Sequence, residues 1–432
     1  MTNGKAITLG IQHLLAMYAG AILVPLIIGG SLGFDEQQMT YLVAIDIMMC
    51  GIATLLQVMR GKVFGIGLPV VLGCTFTAVF PIISIGQSKG IGAIYGSIIA
   101  SGLIVILISR VFGKLVKFFP PVVTGSVVTI IAISLVPVAM NNMGGGQGAE
   151  DFASASNIAL AMITLFIILL IYRFATGFIR SISILLGLVF GTIVGMFMGK
   201  VDFSPVKEAG WFHMVQPFYF GTPTFDLASI ITMTLVAMVS LVESSGVYFA
   251  LGDIEKKRIS AEDLARGYRS EGLASIIGGI FNAFPYTTFS QNVGLIKMTG
   301  VKERKIIVIT GVMLVALGFL PKIAALTTII PTSVLGGAML AMFGMVLTQG
   351  ITMLAPEILK SPENTMIVAI SVALGAGVAF VPNIFEVLPE SLSILTSNGI
   401  VCGSLSAIVL NILFNMVGPK KAKTVAATTV EE

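Results

Sequence analysis

Charge is what this sequence has least of. Lysine, arginine, aspartate and glutamate make up 11% of its 432 residues, where a soluble globular domain carries about 25%. Hydrophobic residues reach 56% and mean hydropathy is +1.00. The shortage runs along the whole chain, which excludes a soluble globular protein and leaves an integral membrane protein. The net charge of +4 is small and its basic residues fall in short loops, so no nucleic-acid patch is present. Cysteine is scarce too. Cys50, Cys74 and Cys402 all lie in apolar segments, an odd and scattered set that argues against disulfides and against a zinc site. Walker loops, zinc-ligand spacings and dinucleotide fingerprints are missing, so neither cofactor nor metal is expected. The stretch GGSLG, Gly29 to Gly33, has nucleophile-elbow spacing but follows a membrane span, without the strand–turn–helix context that the motif needs.

What is present is a succession of apolar runs. With about 20 residues needed per membrane span, spans are expected near residues 6–29, 40–59, 64–86, 91–109, 119–140, 157–173, 181–199, 226–250, 269–281, 283–298, 304–321, 324–349, 363–381 and 396–417. The first run is too long for a signal-peptide core and is interrupted by Gln12 and His13, so it reads as a retained span. Basic residues concentrate in alternate loops, at Arg60 and Lys62, Arg110, Lys114 and Lys117, Lys256 to Arg258, Lys302 to Lys305 and Lys420 to Lys423. The other loops carry Asp35 and Glu36, Glu150 and Asp151, and Glu386 and Glu390. The positive-inside rule then puts both termini in the cytoplasm, as an even span count requires. The outside loop near 200–225 holds Trp211, Phe212, Phe218, Tyr219 and Phe220, the composition of an interfacial aromatic belt. Gly187, Gly191, Gly195 and Gly199 recur every four residues and mark a close-packing helix face.

An internal echo organises these spans. PPVVTG begins at Pro120 and PTSVLG returns 211 residues later at Pro331. PVVLGCTF begins at Pro69 and PYTTFSQN returns 216 residues later at Pro285. Two matches at nearly one offset indicate two halves of seven spans each, and an odd repeat is inverted in the membrane. Pro69 and Pro285 interrupt helical hydrogen bonding inside apolar runs, and irregular backbone at membrane depth has to face protein or a water-filled cavity. Each is followed by β-forming residues, so a short extended segment leading into a half-helix is expected at both places, with simple proline kinks as the plainer alternative. Thr75 and Gln291 each lie six residues past their proline and would face one pocket.

Few polar groups fall within the spans. Glu243, in LVESSGVYF, is a carboxylate deep in an apolar segment and a functional candidate by default. Glu271 opens the ninth span, either as a functional acid or as a loop-edge charge paired with Arg269. His13 and Asp46 are each either packing elements or site residues. Gln291 and Asn292 are adjacent amides that need hydrogen-bond partners in hydrocarbon.

FSQNVGLIKMTG resembles the signature of the nucleobase–ascorbate transporter family, Q/E/P-N-x-G-x(4)-T-R/K/G, with Gln291, Asn292, Gly294 and Thr299 in register and Gly300 in the last slot. QHLLAMYAGAILVP is similar to the family's first span, LVESSGVYFALGD to its eighth, and GLPVVLGCTFTAV and FPPVVTGSVV to bacterial xanthine permeases. The resemblance implies an all-α polytopic fold of about fourteen spans in two inverted seven-span repeats, with extended segments in spans three and ten. A core domain would comprise 1–118 and 223–322, a gate domain 119–222 and 323–418, and 419–432 a polar cytoplasmic tail. It implies proton-coupled import of a purine, most nearly xanthine, by a homodimer in the bacterial plasma membrane. Urate, a broader purine range and sodium coupling are the alternatives, and a channel or membrane enzyme is disfavoured. By this resemblance Glu243 and Gln291 bind the base and Thr75 and Phe76 complete the pocket, and backbone N–H groups near Phe76 or Ser290 would meet the remaining carbonyls. Asn292 either binds or braces the loop. Glu243, Glu271 and His13 serve proton coupling. Family members usually carry Asp where Glu271 stands, which leaves the position of its carboxyl open.

Overall fold

The computed structural model describes residues 2–115, 119–385, 387–388 and 398–417. The charges Glu386 and Glu390 and the tail from 419 lie outside them. The described chain is helical almost throughout: α1 Asn3–Ser31, α2 Glu36–Val58, strand β1 Leu72–Cys74, a 3₁₀ turn Phe76–Ala78 running into α3 Val79–Lys89, α4 Ile91–Leu115, α5 Pro121–Met143, α6 Ala155–Phe174, α7 Gly177–Ser181, α8 Ser183–Phe197 and α9 Ser204–Glu208. The second half continues with α10 Leu227–Glu255, α11 Ala261–Ile280, strand β2 Tyr286–Thr288, α12 Ser290–Thr299, α13 Arg304–Gly318, α14 Pro321–Thr328, α15 Thr332–Ile358, α16 Pro362–Phe380 and α17 Gly399–Asn411. Nine helices among the described residues are long and apolar enough to cross a membrane, and α13 with α14, bent by 82°, makes a tenth if the pair is one span. The expected third and tenth segments hold the extended stretches β1 and β2, the seventh is the short helix α8 and the ninth is the charged helix α11, so nine or ten of the fourteen expected segments are complete spanning helices among the described residues.

The differences have local causes. The third segment is extended through β1 and becomes helical only at Phe76, past Pro69. The ninth begins at Ala261, where Ser260 and Asp263 form a reciprocal capping box. Charge hid this start in the sequence, but Arg269 is buried and satisfied: it donates to Ser109 Oγ (3.0 Å), to the Val63 carbonyl (2.9 Å) and to Glu262 (3.2 Å). Arg269 therefore partners Glu262, not Glu271. The twelfth segment begins at Thr332 behind Pro331, and residues 321–328 form the separate helix α14. The aromatic loop divides. Trp211, Phe212, Phe218 and Tyr219 are exposed, Tyr219 stacking on Tyr41 at 3.8 Å, whereas Phe220 packs between Phe34 and Tyr95.

Helix packing falls into two groups. α1–α4 associate with α10–α13, while α5, α6 and α8 associate with α15–α17. α5 and α15, the helices that carry the PPVVTG and PTSVLG echo, lie antiparallel. A Cβ on Gly125 would meet Leu354 at 2.8 Å, and one on Gly336 would meet the Met143 backbone at 2.2 Å. Only glycine permits so close an approach. Large apolar side chains such as Phe166, Leu169, Phe190 and Phe197 point outward from α6 and α8, the surface that a bilayer would cover.

Candidate functional site

The two interrupted segments meet. β1 and β2 pair antiparallel, Leu72 with Thr288, Gly73 with Thr287 and Cys74 with Tyr286. Two flanking bonds extend the ladder, Thr75 N–H to the Pro285 carbonyl (3.0 Å) and Phe289 N–H to the Val71 carbonyl (2.9 Å). Strand edges at membrane depth need partners for every amide, and α2 supplies them from behind. Thr54 Oγ1 accepts from Leu72 N–H at 3.0 Å, and Asp46 Oδ1 accepts from Phe284 N–H at 3.1 Å while its other oxygen accepts from the Cys74 thiol. A Cβ on Gly73 would lie 2.3 Å from the Phe289 ring, so glycine is required where the strands cross. Past the crossing, the 3₁₀ turn at Phe76 and the helix α12 at Ser290 begin. Helix starts leave backbone N–H groups without intrahelical partners and favour electron-rich ligand atoms.

A small cavity of about 50 Å³ lies at this point, lined by Phe76, Thr77, Glu243, Thr287, Ser290, Gln291 and Gln349 among others. A larger vestibule of about 440 Å³ joins Glu243, Ser290 and Gln349 to the ends of α10, α12 and α15 through Ala250, Lys297 and Met353. A further cavity of about 560 Å³ lies between the other half of α5, at Ser134, and α3, α16 and α17. The polar centre sits between the two.

The residues expected at the site fall into two layers. Glu243, Gln291, Phe76 and Ser290 line the small cavity. Phe76 meets Phe343 edge-on at 5.7 Å, and Ser290 Oγ donates to Gln349 Oε1 at 3.4 Å. Thr75, Asn292, His13 and Glu271 stand behind. Thr75 is fully buried and shares hydrogen bonds with Thr77 and with Ser240 (3.2 Å). Asn292 turns away: its Nδ2 donates to the His13 carbonyl at 2.9 Å and lies 3.1 Å from His13 Nδ1. The pair ties α12 to α1. Glu271 is buried, accepting from the Tyr248 hydroxyl on one oxygen and from Ser244 Oγ (3.1 Å) on the other.

Sequence reasoning missed Gln349, Ser244, Tyr248 and Gln57. Ser244 is adjacent to Glu243, and Gln349 is an amide in an apolar span, a signal of the kind that singled out Gln291. Gln57, an amide within the 40–59 run, carries the same signal; Tyr248 carries none, because its role arises only when α2, α10 and α11 come together. One group of three potential metal ligands occurs among the described residues, Asp46, Cys50 and Cys74, with ligand atoms within 4.8 Å of one another. It is fully buried behind β1, and its carboxylate already serves the strand crossing.

Paired broken segments meeting at a buried polar centre, within a bundle of apolar helices, define a polytopic membrane protein with an enclosed polar site. The Permease family model (Xan_ur_permease) matches residues 4–384, and the chain belongs to this family, the nucleobase–ascorbate transporters that its motifs resemble. It is 63% identical over 418 residues to the xanthine permease of Bacillus subtilis strain 168, covering 97% of this chain and 95% of that protein. It is 60% identical over 415 residues, 96% of each chain, to the uric acid permease PucK of the same organism. Among solved structures it shares the fold of the transmembrane domain of the cyanobacterial bicarbonate transporter BicA, at TM-score 0.61 and 15% identity, covering 95% of this chain and 98% of that one.

Proposed function

We propose that this protein is a secondary active transporter that imports a purine nucleobase, xanthine, by proton symport with alternating access. The observation that carries the reading is that Glu243 from α10 and Gln291 from the start of α12 line one small cavity beside the Phe76 ring. A glutamine amide presents a donor and an acceptor in one plane, matching the adjacent N–H and C=O of an oxopurine, and a carboxylate accepts ring N–H groups. Each such bond contributes about 0.5–1.5 kcal/mol net, and more with a charged partner. Phe76 offers an aromatic face or edge to the base. Ser290 supplies a hydroxyl at the helix start, Thr75 and Asn292 hold the two starts in place, and Glu243, Glu271 and His13 form the proton-coupling set. A xanthine permease at 63% identity supports the choice of base.

In this reading residues 1–118 and 223–322 form a core domain and 119–222 and 323–418 a gate domain, as two inverted repeats of seven segments. The segregated packing of α1–α4 with α10–α13 is consistent with that division. Both termini are cytoplasmic, two copies associate in the bacterial plasma membrane, and the vestibule reaching Lys297 is the inward-facing one. Uric acid is the second reading, because a 60% identical relative is a uric acid permease. Uptake of labelled xanthine by cells lacking their own purine carriers, competed by a purine panel, tests both. Saturable uptake blocked best by unlabelled xanthine is expected; stronger competition by urate selects the second reading, and no uptake of any purine overturns both.

A further inference from the structure

Glu271 lines none of the cavities around the site, yet it is joined to one of them by an unbroken line of side-chain hydrogen bonds. Ser244 Oγ donates to Glu271 Oε2 at 3.1 Å, Ser244 Oγ and Thr287 Oγ1 lie 3.3 Å apart, and Thr287 lines the same small cavity as the Glu243 carboxylate. The opposite oxygen of Glu271 faces a dead end. It accepts from Tyr248, whose hydroxyl accepts in turn from Gln57 Nε2, and Gln57 spends its other contacts on the Gly267 carbonyl (3.1 Å) and Ile66 N–H (3.3 Å). An amide N–H donates but does not pass a proton onward. A proton reaching Glu271 along this network therefore comes through serine and threonine hydroxyls, which both donate and accept.

We propose that Ser244 and Thr287 are the proton path between the cavity carboxylate Glu243 and the sealed carboxylate Glu271. The step moves one proton and changes no charge overall. Protonated Glu243 gives its proton to Thr287 Oγ1, the Thr287 hydroxyl proton passes to Ser244 Oγ, and the Ser244 proton passes to Glu271 Oε2. Reset runs the same three transfers backward. Thr288 N–H, which donates to Ser244 Oγ at 3.4 Å, fixes that hydroxyl in line. The titratable groups that face Glu271 are Glu243 and Tyr248 from α10 and Tyr268 from its own helix. The inference rests on the proton-symport reading above.

The test uses full-length protein in proteoliposomes with labelled xanthine as the probe. It compares uptake driven by an imposed proton gradient with exchange of internal for external xanthine at equal pH, which requires no net proton movement. Ser244→Ala is expected to lower gradient-driven uptake by about 10²-fold, the smaller end of what a positioned proton donor supplies, while exchange stays within about twofold, a change of roughly 0.4 kcal/mol. The pH dependence of uptake should flatten. Thr287→Ser should keep both activities, and Thr287→Val should lose uptake. Unchanged uptake in Ser244→Ala overturns the path, and so does a parallel loss of uptake and exchange, which would mark a binding or folding role. If wild-type protein exchanges xanthine but uptake ignores the proton gradient, the symport reading fails and takes the path with it.

Discussion

Gln291 and Asn292 are neighbours in the sequence, yet they serve opposite faces. Successive helical residues point about 100° apart, so one amide looks into the cavity and the other grips His13. That placement gives Gln291→Glu a chemical effect with little steric change. The amide donor is lost, and a second carboxylate enters a cavity that already holds Glu243. A lost bond in a desolvated site costs about 1–3 kcal/mol, which is roughly a five- to 150-fold weaker affinity for xanthine by direct binding to purified protein. An affinity within about twofold of wild type would mean that Gln291 does not read the base. The loss should shrink at low pH, where the new carboxyl takes up a proton and regains a donor. Glu243→Ala should abolish uptake while the protein still reaches the membrane, and normal kinetics in that variant would remove Glu243 from the site. Asn292→Ala should act differently, by freeing α12 from α1. Reduced thermal stability with binding lost only in proportion is the expected result, and xanthine affinity falling without destabilisation would place Asn292 in direct contact with substrate.

At the scale of elements, the two extended segments were legible because Pro69 and Pro285 sit inside apolar runs and β-formers follow each. Their pairing was not, since three residues per strand carry no periodicity and their partner lies more than 200 residues away. The start of α11 was hidden for another reason: Arg269 and Glu271 look like loop until their partners are known, Ser109 and the Val63 carbonyl for the arginine and Ser244 and Tyr248 on α10 for the glutamate. Gly73 shows how tightly the crossing is specified. Gly73→Ala places a methyl 2.3 Å from the Phe289 ring, and Phe289 is held between Gly73 and Gly20. Overpacking of this kind costs about 1–3 kcal/mol, here directly beside the cavity. Xanthine uptake should fall sharply, and a concurrent Phe289→Leu change, which vacates the ring, should restore part of it; no rescue would place the defect elsewhere. Asp46→Asn keeps an acceptor for Phe284 N–H and should be better tolerated in thermal unfolding than Asp46→Ala, which strands that buried amide.

At the scale of the molecule, the antiparallel meeting of α5 and α15 explains why the weak sequence echo mattered. The two helices that carry the echo pack Gly125 near one end of the pair and Gly336 near the other, so the same short motif recurs where the same close approach is needed. Around this pair lie the cavities on either side of the polar centre, and the contact from Ser290 on α12 to Gln349 on α15 (3.4 Å) spans the two packing groups. If the groups move against each other to open one cavity and close the other, that contact has to break in every cycle. Partly buried Cys402 is first replaced by serine, since Cys50 and Cys74 are fully buried. Ser290→Cys and Gln349→Cys combined, joined by a short bifunctional thiol reagent, should stop xanthine uptake. Each single cysteine, equally treated, should retain most of whatever uptake its own substitution leaves, and a reducible reagent should allow recovery on reduction. Uptake that persists through complete cross-linking would mean that α12 and α15 travel together, and that the moving boundary lies elsewhere in the bundle.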